Sequence, residues 1–238
     1  MRFSTFFRLG LLLLSATVAF ATPREHRGSY FSTGMGFAYT SFRISESEQK
    51  HRYVQGLYET RIQKSEQEFS GWTFPTLNFR FGRSAGNAVA IYGDLNFAMV
   101  TGKLKSSKTV TQSQSGEVLS HKSKTWENVT DFFASAGVGV EVYPFRNPNS
   151  IWRGFHFGNT LSFGTDVTKA RDNGTLDNDL ETTFYYFSGF LHTNLGMDWW
   201  VSDTWSLGVE LSYTVPYAYE KKLKEKNTIQ LLFRITRG

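Results

Sequence analysis

T-W-S-L-G-V-E-L-S-Y-T-V-P (Thr204 to Pro216) and N-T-I-Q-L-L-F-R-I (Asn227 to Ile235) are two arms whose reading decides the fold. In the first arm Trp205, Leu207, Val209, Leu211, Tyr213 and Val215 share one parity, and Ser206, Gly208, Glu210, Ser212 and Thr214 share the other. Successive side chains of a strand point to opposite faces, so the arm has one apolar and one polar face. The second arm repeats this, with Ile229, Leu231, Phe233 and Ile235 against Thr228, Gln230 and Arg234.

Working back along the chain, the pattern recurs in six more segments. They are Tyr30 to Phe42, Gly71 to Phe81, Asn87 to Val100, Asp131 to Tyr143, Arg153 to Gly164 and Thr183 to Trp200. Pro75 lacks an N–H, which predicts an irregularity in the second. Asn159 breaks the pattern of the fifth. Gly, Pro, Asn and Asp mark tight turns after segments two, four and six. The connections after one, three, five and seven are long: Arg43 to Glu68, Gly102 to Trp126, Asp166 to Thr182 and Pro216 to Lys226. The second reads as either a hairpin running past the rim, turning at Ser115-Gly116, or a disordered loop. From Lys103 to Trp126 it holds five lysines and one glutamate.

Eight amphipathic strands must pack on another layer or close on themselves. A soluble calyx would turn the apolar face inward; a membrane barrel turns it to lipid. Three features favour the membrane. The polar face is rich in glycine, which suits a crowded lumen. It carries Arg80, Asp94, Glu141, Glu210 and Arg234 near strand centres. The apolar face ends near turns in Phe81, Tyr143, Trp152, Trp199 and Trp205, as interfacial anchors do. Buried charges persist only when paired. The expectation is one ion network of Arg80, Glu141, Glu210 and Arg234, with Arg80 beside Asp94; separate or water-bridged pairs are the alternative.

At the N-terminus, Arg2, Arg8, an apolar run Leu9 to Phe20 and Ala19-Phe20-Ala21 read as a cleavable leader of residues 1–21. The mature barrel domain is then 22–238. Its loss takes the formal charge from +5 to +3 by removing two arginines and no acid, so no nucleic-acid partner is expected. With no cysteine there is no disulfide framework. Aromatics reach 16% while mean hydropathy is negative, which fits amphipathic strands rather than a thick apolar core.

With leader, strands, alternating turn lengths and charged interior in view, the chain resembles the OmpA/OmpX-like small outer-membrane β-barrels. The resemblance covers the whole mature chain and is architectural. It implies a single all-β domain of eight antiparallel up-and-down strands, outer-membrane localisation, periplasmic termini and a monomer in contact with lipid and lipopolysaccharide. Such chains often end on an aromatic; here Phe233 stands five residues short of the end. No catalytic, cofactor or metal site is expected. His121, His156 and His192 form no triad. The acidic Asn173 to Asp179 stretch of the third loop reads as solvated, and Asn128-Val-Thr130 and Asn173-Gly-Thr175 as chance sequons. The expected role is structural or surface-interacting, through long loops and an extracellular surface ligand. The alternatives are a narrow solute channel and a lipid A-modifying enzyme.

Overall fold

A computed structural model describes residues 28–54, 57–85, 88–145, 147, 150–170, 183–202, 204–218 and 226–237. The leader, the Asn173 to Asp179 stretch with its sequon, and most of the last connection lie outside these. The strands are β1 (Gly28–Val54), β2 (Leu57–Ala85), β3 (Val89–Gln112), β4 (Val118–Val142), β5 (Phe155–Ala170), β6 (Thr183–Trp200), β7 (Trp205–Ala218) and β8 (Asn227–Arg237). Each pairs antiparallel with the next, and β8 returns to β1 to close a barrel. The seam runs from Phe31 opposite Arg237 to Ser41 opposite Asn227, so the segment after Phe233 is still strand.

The barrel is turned inside out relative to a soluble protein. Ile91, Val138, Met99, Phe163, Phe233 and Leu211 are exposed, while Arg80, Asp94, Glu141, Glu210 and Arg234 are each no more than 3% exposed. An apolar outer face requires lipid rather than water, so this is an eight-stranded membrane barrel of the outer-membrane type. The 11 residues of β8 give about 25 Å of wall once tilted, the height of a hydrocarbon layer.

Two departures from regular alternation are local. Around Pro75 the ladders skip, from Gly36–Thr76 to Ala38–Thr73 on one side and from Trp72 to Leu77 on the other. The Phe74-Pro75 peptide is cis. The misfit Asn159 faces outward, where its side-chain carbonyl accepts a hydrogen bond from Thr193 (2.9 Å) on the neighbouring strand.

The first two long connections are strands, not loops. β1 leaves β8 at Ser41 but follows β2 up to Val54 opposite Leu57. β4 leaves β5 at Val129 but follows β3 up to Val118 opposite Thr111. β2 and β3 pair as far as Arg61 opposite Gln112, which joins the two hairpins into one four-stranded sheet standing above the wall. Ser113 N–H donates to the Thr60 carbonyl (2.9 Å), tying the second hairpin's tip to β2. The turn expected at Ser115-Gly116 is there, with Gly116 at φ 73°, a conformation that favours glycine.

Candidate functional site: a barrel closed by its own side chains

The strand order places Arg80 on β2 beside Asp94 on β3, with Arg80 Nε donating to Asp94 Oδ2 (3.1 Å). The same guanidinium reaches across the lumen to β7 and grips Glu210 with both terminal nitrogens (2.7 and 2.8 Å). Arg234 on β8 donates to Glu141 Oε1 (3.0 Å) and also contacts Glu210 Oε2. Arg80 Nη1 lies 3.5 Å from Glu141 Oε2. The five charges thus share carboxylates and form one connected cluster rather than separate pairs.

Neutral groups complete it. Tyr30 donates to Glu141 Oε2 (2.9 Å) and accepts from Arg234 Nη2 (2.6 Å); Ser32 accepts from Arg234 and Asn194 donates to Glu210 (3.1 Å). The Tyr92 ring lies 4.9 Å beneath the Arg80 guanidinium, a cation–π contact. Such satisfaction is what a buried ion cluster requires, since an unpaired buried charge costs several kcal/mol.

Tyr143 is the one anchor that is misplaced by the sequence reading. It keeps the parity of Glu141, points inward, is 2% exposed and donates to Glu141 Oε1 (3.3 Å). Nearness to a turn suggested the interface; the pleat sends it to the lumen. Phe81, Trp152, Trp199 and Trp205 do face outward around the tight-turn rim. Sequence reading missed the matching group at the other rim, Trp72, Phe74, Tyr185, Phe187 and Tyr217, all exposed.

His156 belongs to the cluster. Its Nε2 lies 3.0 Å from Glu141 Oε1 and 3.6 Å from Glu210 Oε2, and its Nδ1 lies 3.0 Å from the Gly154 carbonyl. Glu141, His156 and Glu210 present donor atoms close enough for a metal ion. The cation that sits among them is Arg234, whose Nη1 is 2.9 Å from His156 Nε2 and 3.0 Å from Glu141. The donor set is therefore already engaged by a guanidinium.

Above this cluster Asn96 and Gln230 exchange amide hydrogen bonds (3.0 and 3.1 Å). His192 bridges Ser162 and Thr214 (2.7 Å each). A Ser–His contact is half of a hydrolase triad, but the third partner here is a threonine and Ser162 and His192 are buried. At the hairpin rim the inward parity turns apolar. Phe42, Ile44, Phe69, Val100, Leu104, Trp126, Phe133 and Phe190 pack into a core inside the barrel mouth. Lys226 is held within it, donating to Asp131 (2.9 Å) and paired with Asp166, its ammonium 5.7 Å from the Phe42 and Phe133 rings. This triad was missed in sequence. Extending the parity of Glu141 to Asp131 and of Ser162 to Asp166 finds both carboxylates, but nothing local assigns Lys226 to them.

No family model and no curated protein sequence matches the chain. Solved structures resemble the chain at low identity. Ail, the attachment invasion locus protein of Yersinia pestis, is 11% identical over 89% of this chain and 98% of that one, with a TM-score of 0.40. The outer membrane protein OprG from Pseudomonas aeruginosa is 13% identical over 89% and 97%, with a TM-score of 0.42. Neisserial surface protein A is 8% identical over 88% and 98%, with a TM-score of 0.37. These similarities concern the barrel and assign no activity.

Proposed function

We propose that this protein is a surface-interaction protein of the outer membrane, in which a closed barrel anchors a projecting four-stranded sheet that makes the contacts. The observation that carries the reading is the unequal strand length: β1 to β4 run 24–29 residues and β7 and β8 only 14 and 11. A lipid layer needs about 9–11 residues per strand, so the excess in β1 to β4 is not explained by anchoring. The 13 residues of β1 beyond Ser41 correspond to roughly 40 Å of extended chain. Long hairpins on one rim and tight turns on the other fit an orientation with the hairpins outside the cell and the termini in the periplasm. The interior, filled by an ion cluster and an apolar cap, suits an anchor better than a solute path.

The test replaces residues 45–66 and 106–124 each by Asn-Gly, a two-residue hairpin turn. Cells displaying the shortened barrel should lose attachment to host-cell or abiotic surfaces while the barrel keeps its heat-dependent shift in gel mobility. Unchanged attachment by a correctly folded shortened barrel overturns the reading.

A further inference from the structure

Among the described residues, Asn159 is the one amide or charged side chain on the lipid-facing parity between the two aromatic belts. Its neighbour Thr193 on β6 stands halfway along the strand between Trp199 of the tight-turn rim and Phe187 of the hairpin rim. Both side chains are exposed. The pair therefore lies in the middle of the wall, where hydrocarbon offers no hydrogen bonds. An asparagine side chain is too short to reach either interface from there. Contact with lipid alone is better served by aliphatic and aromatic side chains, and these fill the same parity in the adjoining rows. Val138 stands opposite Leu161 on one side, and Val142, Phe157 and Leu195 follow one another across the strands on the other.

Thr193 satisfies only half of the amide. Its hydroxyl donates to Asn159 Oδ1 (2.9 Å), which turns that oxygen toward β6 and the two Nδ2 N–H away from it. These donors have no partner among the described residues. Oδ1 keeps a second lone pair. One planar group thus offers lipid both donors and an acceptor, and a polar group left bare in hydrocarbon is costly. The same group is complementary to itself. Two such amides related by a two-fold axis exchange a reciprocal pair of N–H···O bonds. Each Oδ1 then accepts once from its own Thr193 and once from the other copy.

We propose that the outer face of β4, β5 and β6 binds a second copy of the chain in the plane of the membrane, with the two Asn159 amides paired across a two-fold axis along the membrane normal. Donor–acceptor complementarity carries the choice of occupant. Apolar protein surface gains little by leaving lipid for protein, so a polar hydrogen bond is what gives association inside a membrane its direction. The surroundings permit close approach. The amide's own row is Val140, Asn159 and Thr193, all short side chains, and the rows beside it hold Val138, Leu161 and Leu195, none of them charged. An identical surface therefore meets no repulsion. The axis along the normal keeps both copies in one orientation, as residence in one membrane requires. The inference departs from the monomer implied by the family resemblance. It also goes beyond the surface-contact reading, since paired barrels carry two projecting sheets side by side and so raise avidity for any repeated surface.

The chain has no cysteine, so a single one can be introduced as a specific probe. Full-length protein with Ser115→Cys at the hairpin tip, labelled with donor or acceptor dye, is refolded into vesicles over a range of lipid-to-protein ratios. Energy transfer is expected to follow a monomer–dimer equilibrium, and Asn159→Val should weaken association at least about fivefold. If Asn159→Val does not fold, Asn159→Val/Thr193→Val carries the test with the same expected loss. The face is mapped by oxidative cross-linking in the same vesicles. Leu161→Cys, beside the amide, should give a dimer band, and Met35→Cys, on β1 across the barrel, should not. Association unchanged by loss of the amide, or equal cross-linking at the two positions, overturns the proposal. A purified chain that stays monomeric at every ratio assigns the face to lipid or to a different protein, and overturns it as well.

Discussion

Single residues in this barrel are constrained by what surrounds each polar atom. Glu210 accepts from Arg80, Arg234 and Asn194 at once. Glu210→Leu takes from Arg80 and Arg234 the carboxylate they share, leaving Asp94 and Glu141 to hold them and several buried N–H donors unmet, and is expected to cost about 3–5 kcal/mol, seen as a lower urea midpoint in unfolding from lipid vesicles. Arg80→Met added to it should restore part of that loss, because the two guanidinium nitrogens that lost Glu210 leave with it. A midpoint unchanged in Glu210→Leu would mean that water, not protein, solvates the cluster. The outer face makes the opposite case. Thr193 donates to Asn159 on a lipid-facing surface. Thr193→Val leaves a bare amide carbonyl in hydrocarbon and should destabilise by about 1–2 kcal/mol, whereas Asn159→Val/Thr193→Val should recover to wild type or better. Additive losses in that double-mutant cycle would show that the two groups do not depend on each other. At this scale the sequence was legible wherever parity alone decides. Arg80, Asp94, Glu141, Glu210 and Arg234 are inward because they share faces with glycine and serine. Tyr143 was misread because closeness to a turn was weighed above parity.

Among the elements, the seam between β8 and β1 closes the barrel, and two glycines on the same face of β1 contribute differently to it. A Cβ built on Gly36 would lie 1.8 Å from the Leu231 carbonyl oxygen, a backbone atom that cannot turn aside. On Gly34 the nearest contact would be a Leu232 methyl at 3.4 Å. Gly36→Ala is therefore expected to block closure, leaving no heat-shifting band after refolding, while Gly34→Ala should fold with a loss of no more than about 1 kcal/mol. Equal behaviour of the two variants would refute the close approach. The eight strands were legible because lipid on one side and a packed lumen on the other enforce a period of two. Where both faces meet water that constraint ends, so beyond the rim the sequence showed only strand-like polar patterning and left a hairpin and a disordered loop open for the second connection. The mouth was hidden for a different reason. Phe42, Phe69, Leu104 and Trp126 are apolar on the inward parity, where hydropathy alone assigns polar residues. Their company becomes visible only once β1 to β4 are aligned in register.

For the whole molecule, the interior has two closures at different heights and of different chemistry. The ion cluster joins β2, β3, β4, β7 and β8 near the tight-turn side, and the apolar cap with Lys226, Asp131 and Asp166 fills the hairpin side. Closures in series give a definite expectation for transport. Wild-type protein in a planar bilayer should carry no steady current, because eight strands enclose only the space that side chains fill. Opening one level leaves the other shut: Arg80→Ala/Glu210→Ala alone, or Phe42→Ala/Phe69→Ala/Phe133→Ala alone, should remain silent. The combined five-substitution variant leaves a wetted path through both levels and should conduct small ions, provided it still shows the folded band on a gel. A steady wild-type current would favour a channel over an anchor. A current in either partial variant would show that the closure left in place does not seal the barrel, and that the projecting sheet stands above a pore.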